Sequence, residues 1–551
     1  MKNKALLFTL VFALVAAGIW VVYRMNRTDL TEAIESRFVS ENENEVLMSK
    51  DISLTHFSKI QEFYENRGYE EIWSTNGKIN SQGEDLLNAI SEVKYDGLRP
   101  SDYHHEFLKN IEAQIQEKKK ILQPKSSPEL VDFELVMTDA FLDLVYDLKF
   151  GIVSEKQRGN YWKLPAKKEE FKPMDALAEV ADGEKVEDFL ESLYPDLAMY
   201  KKGREVLKEL YAINEEDTLT WKPVRFEETL KVGDEDPAVP DLRKRLQFWG
   251  YLSDYKLDNP NLFDSLMLEG LKNYQTENGM KPDGAIGKLT ADFLNDSPEK
   301  LIEIASVNME RMRWLPEMDW DQEMVLVNIA NYQLDYLTKG DTTLSAKVIV
   351  GKEYNESPVF TAPMSYIVFS PYWNIPPSIM QGEIIPALQK NKNYLAEKNM
   401  EVVSSSGEVV DPQKINWIRN EANNYRIRQK PGQGNSLGLV KFMFPNDYNI
   451  YIHDTPARGL FERETRALSH GCIRIQYPDQ FAQALLHDDD WTSDKIQEAM
   501  HLDREEVVNL NREVPVTLLY LTFWADSNGK AHFRPDIYKR DTEVLEAMKK
   551  A

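Results

Sequence analysis

The sequence predicts a multidomain α+β chain in which a helical region and a small three-helix module precede a mainly β domain with an insertion. Three observations predict it. At 551 residues the chain is about three to four times the usual size of one domain. Its apolar residues recur with helical spacing up to about Pro298, and with the alternation and β-branched bias of strands beyond it. Turn signals divide both parts, and 42% hydrophobic residues with 25 Gly and 26 Pro describe a folded protein rather than a disordered or fibrous one.

The elements follow in order. Lys2 and Lys4 precede 19 uncharged residues, Ala5 to Tyr23, which as a helix would rise about 28 Å, close to the thickness of a bilayer's hydrocarbon layer. Residues 1–28 are therefore expected to be a membrane anchor or signal segment. Val15-Ala16-Ala17 offers a cleavage site, but Ile19 to Val22 continue the apolar run past it and favour a retained anchor in the cytoplasmic membrane, with residues from about Asp29 outside the cytoplasm. No cysteine follows the run, which excludes a lipoprotein anchor.

Residues 29–227 read as helical, with turns at Asn76-Gly77, Asp96-Gly97 and Arg99-Pro100-Ser101. Asp139, Asp143 and Asp147 share one helix face by their spacing of four, and the expectation is a solvated face. His104-His105 is expected in a surface loop. Residues 228–298 form a compact module whose Leu242, Leu246, Tyr251, Leu268, Leu271, Tyr274 and Phe293 would build a three-helix core. Residues 299–540 carry the strands, with hairpin chemistry at Lys339-Gly340 and Asn528-Gly529, and are interrupted by an insertion over 375–435. Residues 541–551 are a tail.

With 91 acidic and 66 basic residues the net charge is −25, which argues against a nucleic-acid partner. A single cysteine, Cys472, excludes internal disulfides and cysteine-based metal sites. It follows Ser469-His470-Gly471, precedes Arg474 by two positions, and lies nineteen positions after His453. A free thiol is only a few per cent ionised at pH 7, so nucleophilic work needs a neighbouring base or cation, which a histidine supplies. Gly471 would let backbone N–H groups approach a substrate carbonyl without an intervening side chain. Thiol, imidazole and backbone donors together require neither metal nor cofactor.

This pattern resembles the active-site signature of L,D-transpeptidases, the cysteine enzymes that cross-link peptidoglycan. Tyr372-Trp373-Asn374-Ile375-Pro376-Pro377, Arg428-Gln429-Lys430-Pro431-Gly432 and Asn435-Ser436-Leu437-Gly438 resemble the large, multi-domain branch often called YcbB-like. The helical words FYENRGYEEIW and YDGLRPSDYH resemble that branch's scaffold domain, and Val232-Gly233, Gly250-Tyr251-Leu252, Asp283-Gly284 and Ile286-Gly287 resemble a peptidoglycan-binding domain.

The resemblance implies a helical scaffold domain, a peptidoglycan-binding-like domain, and a YkuD-type catalytic domain with an inserted lid. It implies Cys472 as nucleophile and His453 as general base. His470, Gly471 and Ser469 would support the oxyanion side, and Arg474, Tyr372 and Trp373 would bind substrate. The orienting partner of His453 stays open. The implied reaction passes an acyl group from a tetrapeptide stem to the side-chain amine of a second stem, giving a 3→3 cross-link in the cell wall. Carbapenem-type inhibitors would acylate the same thiol. A cysteine peptidase or amidase acting on wall peptides, and a non-catalytic wall-binding protein, are the competing readings. The insertion is expected to cover Cys472, with Lys390, Lys392, Arg419, Arg426, Arg428 and Lys430 attracting stem carboxylates.

Overall fold

The computed structural model describes residues 29–40, 52–118, 127–165, 167, 170–415, 417, 424–487 and 490–550. Among these, no helix is long and apolar enough to cross a membrane. The expected anchor, residues 5–23, and Arg419 lie outside the described residues.

The helical region is built around α1 (Pro128–Phe150), begun by Ser127 accepting the Leu130 N–H and ended at Gly151, whose φ of 82° suits glycine. Its apolar residues occupy nearly every face and are covered by neighbouring helices, so it is a core helix. The expected solvated face is therefore overturned. Asp139, fully buried, accepts the N–H groups of Thr55 (3.0 Å) and His56 (2.8 Å). Asp143 binds His56 Nε2 at 2.7 Å, and Asp147 accepts the Tyr103 hydroxyl at 2.9 Å. His104 is likewise tucked in, its Nε2 3.1 Å from Asp139. One turn earlier, buried Glu134 accepts the N–H groups of Ile72 and Trp73, each at 3.0 Å. The carboxylates are inside because segments arriving at α1 present backbone donors with no other partner.

Helix α2 (Ala198–Glu216) and the loop before it turn the other way. Val153, Trp162, Leu164, Tyr200 and Leu207 belong to the hydrophobic core of the β domain rather than to that of α1. Trp162 even forms a parallel bridge with Val359, with the Lys163 N–H on the Val359 carbonyl (2.8 Å) and the Val359 N–H on the Tyr161 carbonyl (2.9 Å).

The small module packs α3 (Val239–Phe248), α4 (Ser265–Glu277) and α5 (Lys288–Leu294). Leu242, Leu246 and Leu271 are fully buried, joined by Phe263 and Met267, while Leu268 and Phe293 lie at the rim of this core. The module touches the β domain through Glu277 and Lys530 (3.4 Å) and through the Lys281 N–H on Glu464 (3.3 Å). Helix α6 (Pro298–Arg313) leads out of it. Its fully buried Arg313 pairs with Glu310 (2.7 Å) and donates to the Asp96 carbonyl (2.7 Å) and the Tyr200 hydroxyl (3.0 Å), which ties the helical region to the β domain.

The β domain is a mixed sheet of β1 (Met324–Asn328), β2 (Gln333–Thr338), β3 (Asp341–Gly351), β4 (Phe360–Phe369), β5 (Val440–Met443), β6 (Ile452–His453), β7 (Ala467–Ser469), β8 (Ile473–Ile475) and β9 (Glu506–Leu519). The hydrogen-bonded order is β7-β3-β8-β6-β5-β4-β9-β1-β2, and a further pairing of β2 with β3 closes the eight strands from β3 to β2 into a barrel, with β7 attached to β3 alone. Lys339 and Gly340, both with positive φ, make the tight β2–β3 turn. Phe442, Ile452 and Ile473 stand side by side in the interior, fully buried. Each is worth about 1.5–3 kcal/mol on burial, and together they fix the register, since a one-residue slip would turn them outward.

The insertion has a core of its own, formed by Ile375, Met380, Ile384, Leu388, Leu395, Val402 and Ile427. Trp373–Asn374, Arg426–Gln429, Met400–Val403 and Val409–Val410 form its small sheet, in that order.

Candidate active site

Interior packing decides what the other face of the barrel wall presents. Lys441 pairs with His453 across β5 and β6, and His453 pairs with Arg474 across β6 and β8, so three polar side chains stand in a row on the face opposite Phe442, Ile452 and Ile473. Tyr451 and Cys472 lie one pleat earlier on the same face. The Ile473 N–H donates to the Tyr451 carbonyl at 3.1 Å and holds that register.

The turn before Cys472 is pinned from several sides. Gly471 has φ 116°, a conformation that favours glycine, and a Cβ there would lie 3.3 Å from the Ile450 side chain. Buried Ser469 donates its hydroxyl to the Cys472 carbonyl (2.6 Å) and accepts the Gly471 N–H (3.0 Å). Ser357 donates to the Gly471 carbonyl (2.7 Å) and accepts the Gly351 N–H (3.1 Å). The Gly471 N–H is thus occupied, whereas that of Cys472 has no acceptor among the described residues.

Cys472 is half-buried, its Sγ 3.7 Å from the Asn449 carbonyl. Burial pushes the thiol up; the Tyr451 backbone and side chain and the Arg474 charge pull the other way. His453 is pushed down to about 3, by burial first and then by Arg474, with the carbonyls of Asp454 and Leu437 opposing and Lys441 adding to the fall. Thiol and imidazole are therefore both neutral at physiological pH. His453 Nδ1 lies 2.5 Å from the Asp454 carbonyl, which can only accept, so Nδ1 carries the hydrogen and Nε2 presents its lone pair. No hydrogen bond joins this imidazole to the thiol among the described residues.

The Arg474 side chain has no hydrogen bond or ion pair among the described residues, and its Nε is buried without a partner. An unsatisfied guanidinium beside thiol and imidazole is suited to an anionic ligand.

The other expected residues scatter. His470 turns away from the thiol to the insertion, with Nε2 3.0 Å from Glu383 Oε1. Tyr372 and Trp373 stand at the root of the insertion, where the Tyr372 N–H donates to Glu505 (2.6 Å) and Trp373 packs against the insertion's core. Neither has a hydrogen bond or ring contact to Cys472 or His453 among the described residues. Two of the expected cations are already engaged: Arg428 and Lys430 pair with Glu401 at 2.6 and 3.2 Å, and Arg428 lies 4.2 Å over the Tyr372 ring. Sequence reasoning missed Tyr451 and Lys441. Alternation in Asn449-Ile450-Tyr451-Ile452-His453 would have placed Tyr451 on the face of His453; nothing local announces Lys441, which arrives by cross-strand register.

No group of three or more His, Cys, Asp or Glu among the described residues could hold a metal ion. Fold and site together define a barrel-walled domain with a neutral imidazole on β6 and a thiol immediately before the adjacent parallel strand β8. Residues 322–497 match the L,D-transpeptidase catalytic domain, residues 58–207 a scaffold domain, and residues 235–294 the "Putative peptidoglycan binding domain". Residues 322–497 thus belong to the L,D-transpeptidase catalytic domain family, and the chain joins a scaffold domain and a peptidoglycan-binding domain to them. A "Putative L,D-transpeptidase" of Haemophilus influenzae is 36% identical over 255 residues, which cover 46% of this chain and 51% of that protein. The match therefore spans about half the length of that relative. Crystal structures of L,D-transpeptidases from Xylanimonas cellulosilytica (residues 123–326) and Stackebrandtia nassauensis are each 13% identical and overlap 54% of this chain. They cover 99% and 97% of those chains, with TM-scores of 0.16 and 0.20, overlaps too slight to place any residue.

Proposed function

We propose that the chain is a cell-envelope cysteine acyltransferase that joins peptidoglycan stem peptides by 3→3 cross-links. The observation that carries this reading is that Cys472, immediately before β8, lies one pleat from the paired His453 and Arg474 on the same face of the barrel wall, with the Arg474 Nε unpartnered. Cys472 Sγ attacks the carbonyl of the third residue of a tetrapeptide stem. His453 Nε2 takes the thiol proton and returns it to the departing terminal D-alanine amine as the C–N bond breaks, leaving a thioester. The side-chain amine of a second stem then attacks; the new amide forms, the C–S bond breaks, and His453 passes the amine proton back to sulfur. The free Cys472 N–H is the oxyanion donor closest at hand, in place of the occupied Gly471 N–H. Arg474 binds a substrate carboxylate, and the insertion, latched by Glu383 on His470, keeps water from the thioester.

Residues 5–23 would anchor the chain in the cytoplasmic membrane with its domains on the periplasmic side, and residues 235–294 would bind the wall. Mass spectrometry of muropeptides after incubation with the purified chain tests the reaction. The expected product is a 3→3 dimer, absent with Cys472→Ala; tripeptide alone would make the chain a hydrolase. A carbapenem should add one drug mass to the chain and none to Cys472→Ala.

A further inference from the structure

The end of α1 and the loop after it form a second concave surface, on the scaffold side of the molecule. A cavity of about 740 Å³ opens there, in the size range of ligand sites, and a second of about 280 Å³ shares Lys167 with it. One wall is an aromatic series. Tyr146, 50% exposed, has its ring 5.1 Å from Phe150, whose ring is 6.0 Å from that of Phe171. Trp314 lines the cavity from below. Charged side chains line the same cavity, the cations Lys156, Arg158 and Lys167 together with the acid Glu155. Lys156 is exposed at the rim, and buried Arg158 lies 5.1 Å over the Trp314 ring, donating to the carbonyls of Val153 and Phe150 and forming no ion pair with a carboxylate among the described residues.

We infer that this cleft is a carbohydrate-binding site that takes a linear glycan of pyranose rings bearing carboxylates. Half-exposed Tyr146, with the half-buried Phe150 and Phe171 beside it, offers apolar ring surface for the C–H faces of sugar rings. The cations would meet carboxylates carried by the same polymer, in a chain whose net charge of −25 otherwise repels them. The adjoining cavities suit an extended ligand rather than a single ring, and a concave, two-sided site does not suit a membrane surface.

The cleft is also coupled to the nucleophile by packing. The Trp314 ring meets Trp162 edge-on at 5.0 Å, Trp162 bridges to Val359, and two residues before Val359 the Ser357 hydroxyl holds the Gly471 carbonyl. A glycan seated here would stand at a fixed distance from Cys472, so that its peptide branches are presented rather than captured singly. Only this last step rests on the proposed transpeptidation.

The test uses the full chain and, as probe, a β-1,4-linked N-acetylglucosamine tetramer in which alternate rings carry a lactyl carboxylate. Saturable binding by calorimetry is expected, weakened at least tenfold by Tyr146→Ala and retained within twofold by Tyr146→Phe. The probe should also slow amide hydrogen exchange over residues 146–158 of the unaltered protein, a measurement that needs no variant. Protection confined to residues 235–294, binding indifferent to Tyr146→Ala, or no saturable binding would each overturn the inference. On turnover, Tyr146→Ala should raise KM for glycan-linked stems and leave a sugar-free stem peptide unaffected. Because binding is read without turnover, a chain that binds the tetramer but forms no cross-link would sink the proposed function and leave the cleft standing.

Discussion

Two regions of this molecule set ionisable side chains in a row, and they treat them differently. Along α1 the acids Glu134, Asp139, Asp143 and Asp147 are each met by a donor: backbone N–H groups, a histidine or a tyrosine hydroxyl. Across the barrel wall Lys441, His453 and Arg474 stand together, and the guanidinium of Arg474 has nothing to bind among the described residues. A satisfied buried charge ties distant segments together; an unsatisfied one is a place kept for a ligand. Removing a member of the first row should therefore cost stability, and removing a member of the second should cost turnover.

The largest effect is expected at Cys472, where alanine should abolish both the carbapenem adduct and cross-linking; an adduct persisting in that variant would remove the thiol from the mechanism. His453→Ala should slow acylation by roughly 10² to 10⁴, the range for loss of a positioned base, read by stopped-flow with a chromogenic carbapenem. Near-full activity would instead transfer the role of base to another group. Arg474→Gln should lower kcat/KM by roughly 10- to 100-fold, the loss of a charge-assisted hydrogen bond of about 1.5–3 kcal/mol. It should also change the pH profile. Because the Arg474 charge helps hold His453 down to about 3, the intact enzyme should show no acid limb near the ordinary histidine value of about 6.5, and the variant's limb should move up towards it.

The smallest effect on turnover, none per folded molecule, is expected at Glu134. Alanine there should cost stability, since two backbone donors lose their acceptor at about 1–3 kcal/mol each. Glu134 also gives the scaffold a pH dependence. Burial raises its carboxyl to about 7 against the opposing hydrogen bonds of Ile72, Trp73 and Tyr64, so between about 4.5 and 7 the folded state holds a proton that the unfolded state has lost. Stability should then fall as pH rises through that window, by roughly 1–3 kcal/mol, and level off above it. Urea unfolding across the window should show a flatter slope for Glu134→Gln; an unchanged slope would assign the dependence elsewhere.

The same contrast explains what could be read from the sequence. Cys472 and His453 stood out because polar residues of rare type cluster around them, and the strand alternation about His453 places them on one face. The acids of α1 were misread because spacing along a helix says which residues share a face but not what covers it, and the covering donors, Thr55, His56, Ile72 and Trp73, come from 61 to 84 positions away. The Lys441–His453–Arg474 row depends on strand register, which interior residues such as Phe442 and Ile473 decide and no local word announces. The insertion's own small sheet was hidden for a similar reason: Trp373–Asn374 finds its partner strand, Arg426–Gln429, only across the whole length of the insertion.

The bridge between Trp162 and Val359 limits how freely such a chain can be recombined. A segment of the helical region supplies part of the barrel's rim, and Val153, Leu164, Tyr200 and Leu207 fill sockets in the catalytic core. Exchanging that region for an unrelated one would leave those sockets open beside the segment that holds Gly471. The regions would then be inherited as a pair, and swaps between relatives should succeed only when the residues from Val153 to Leu210 travel with the barrel.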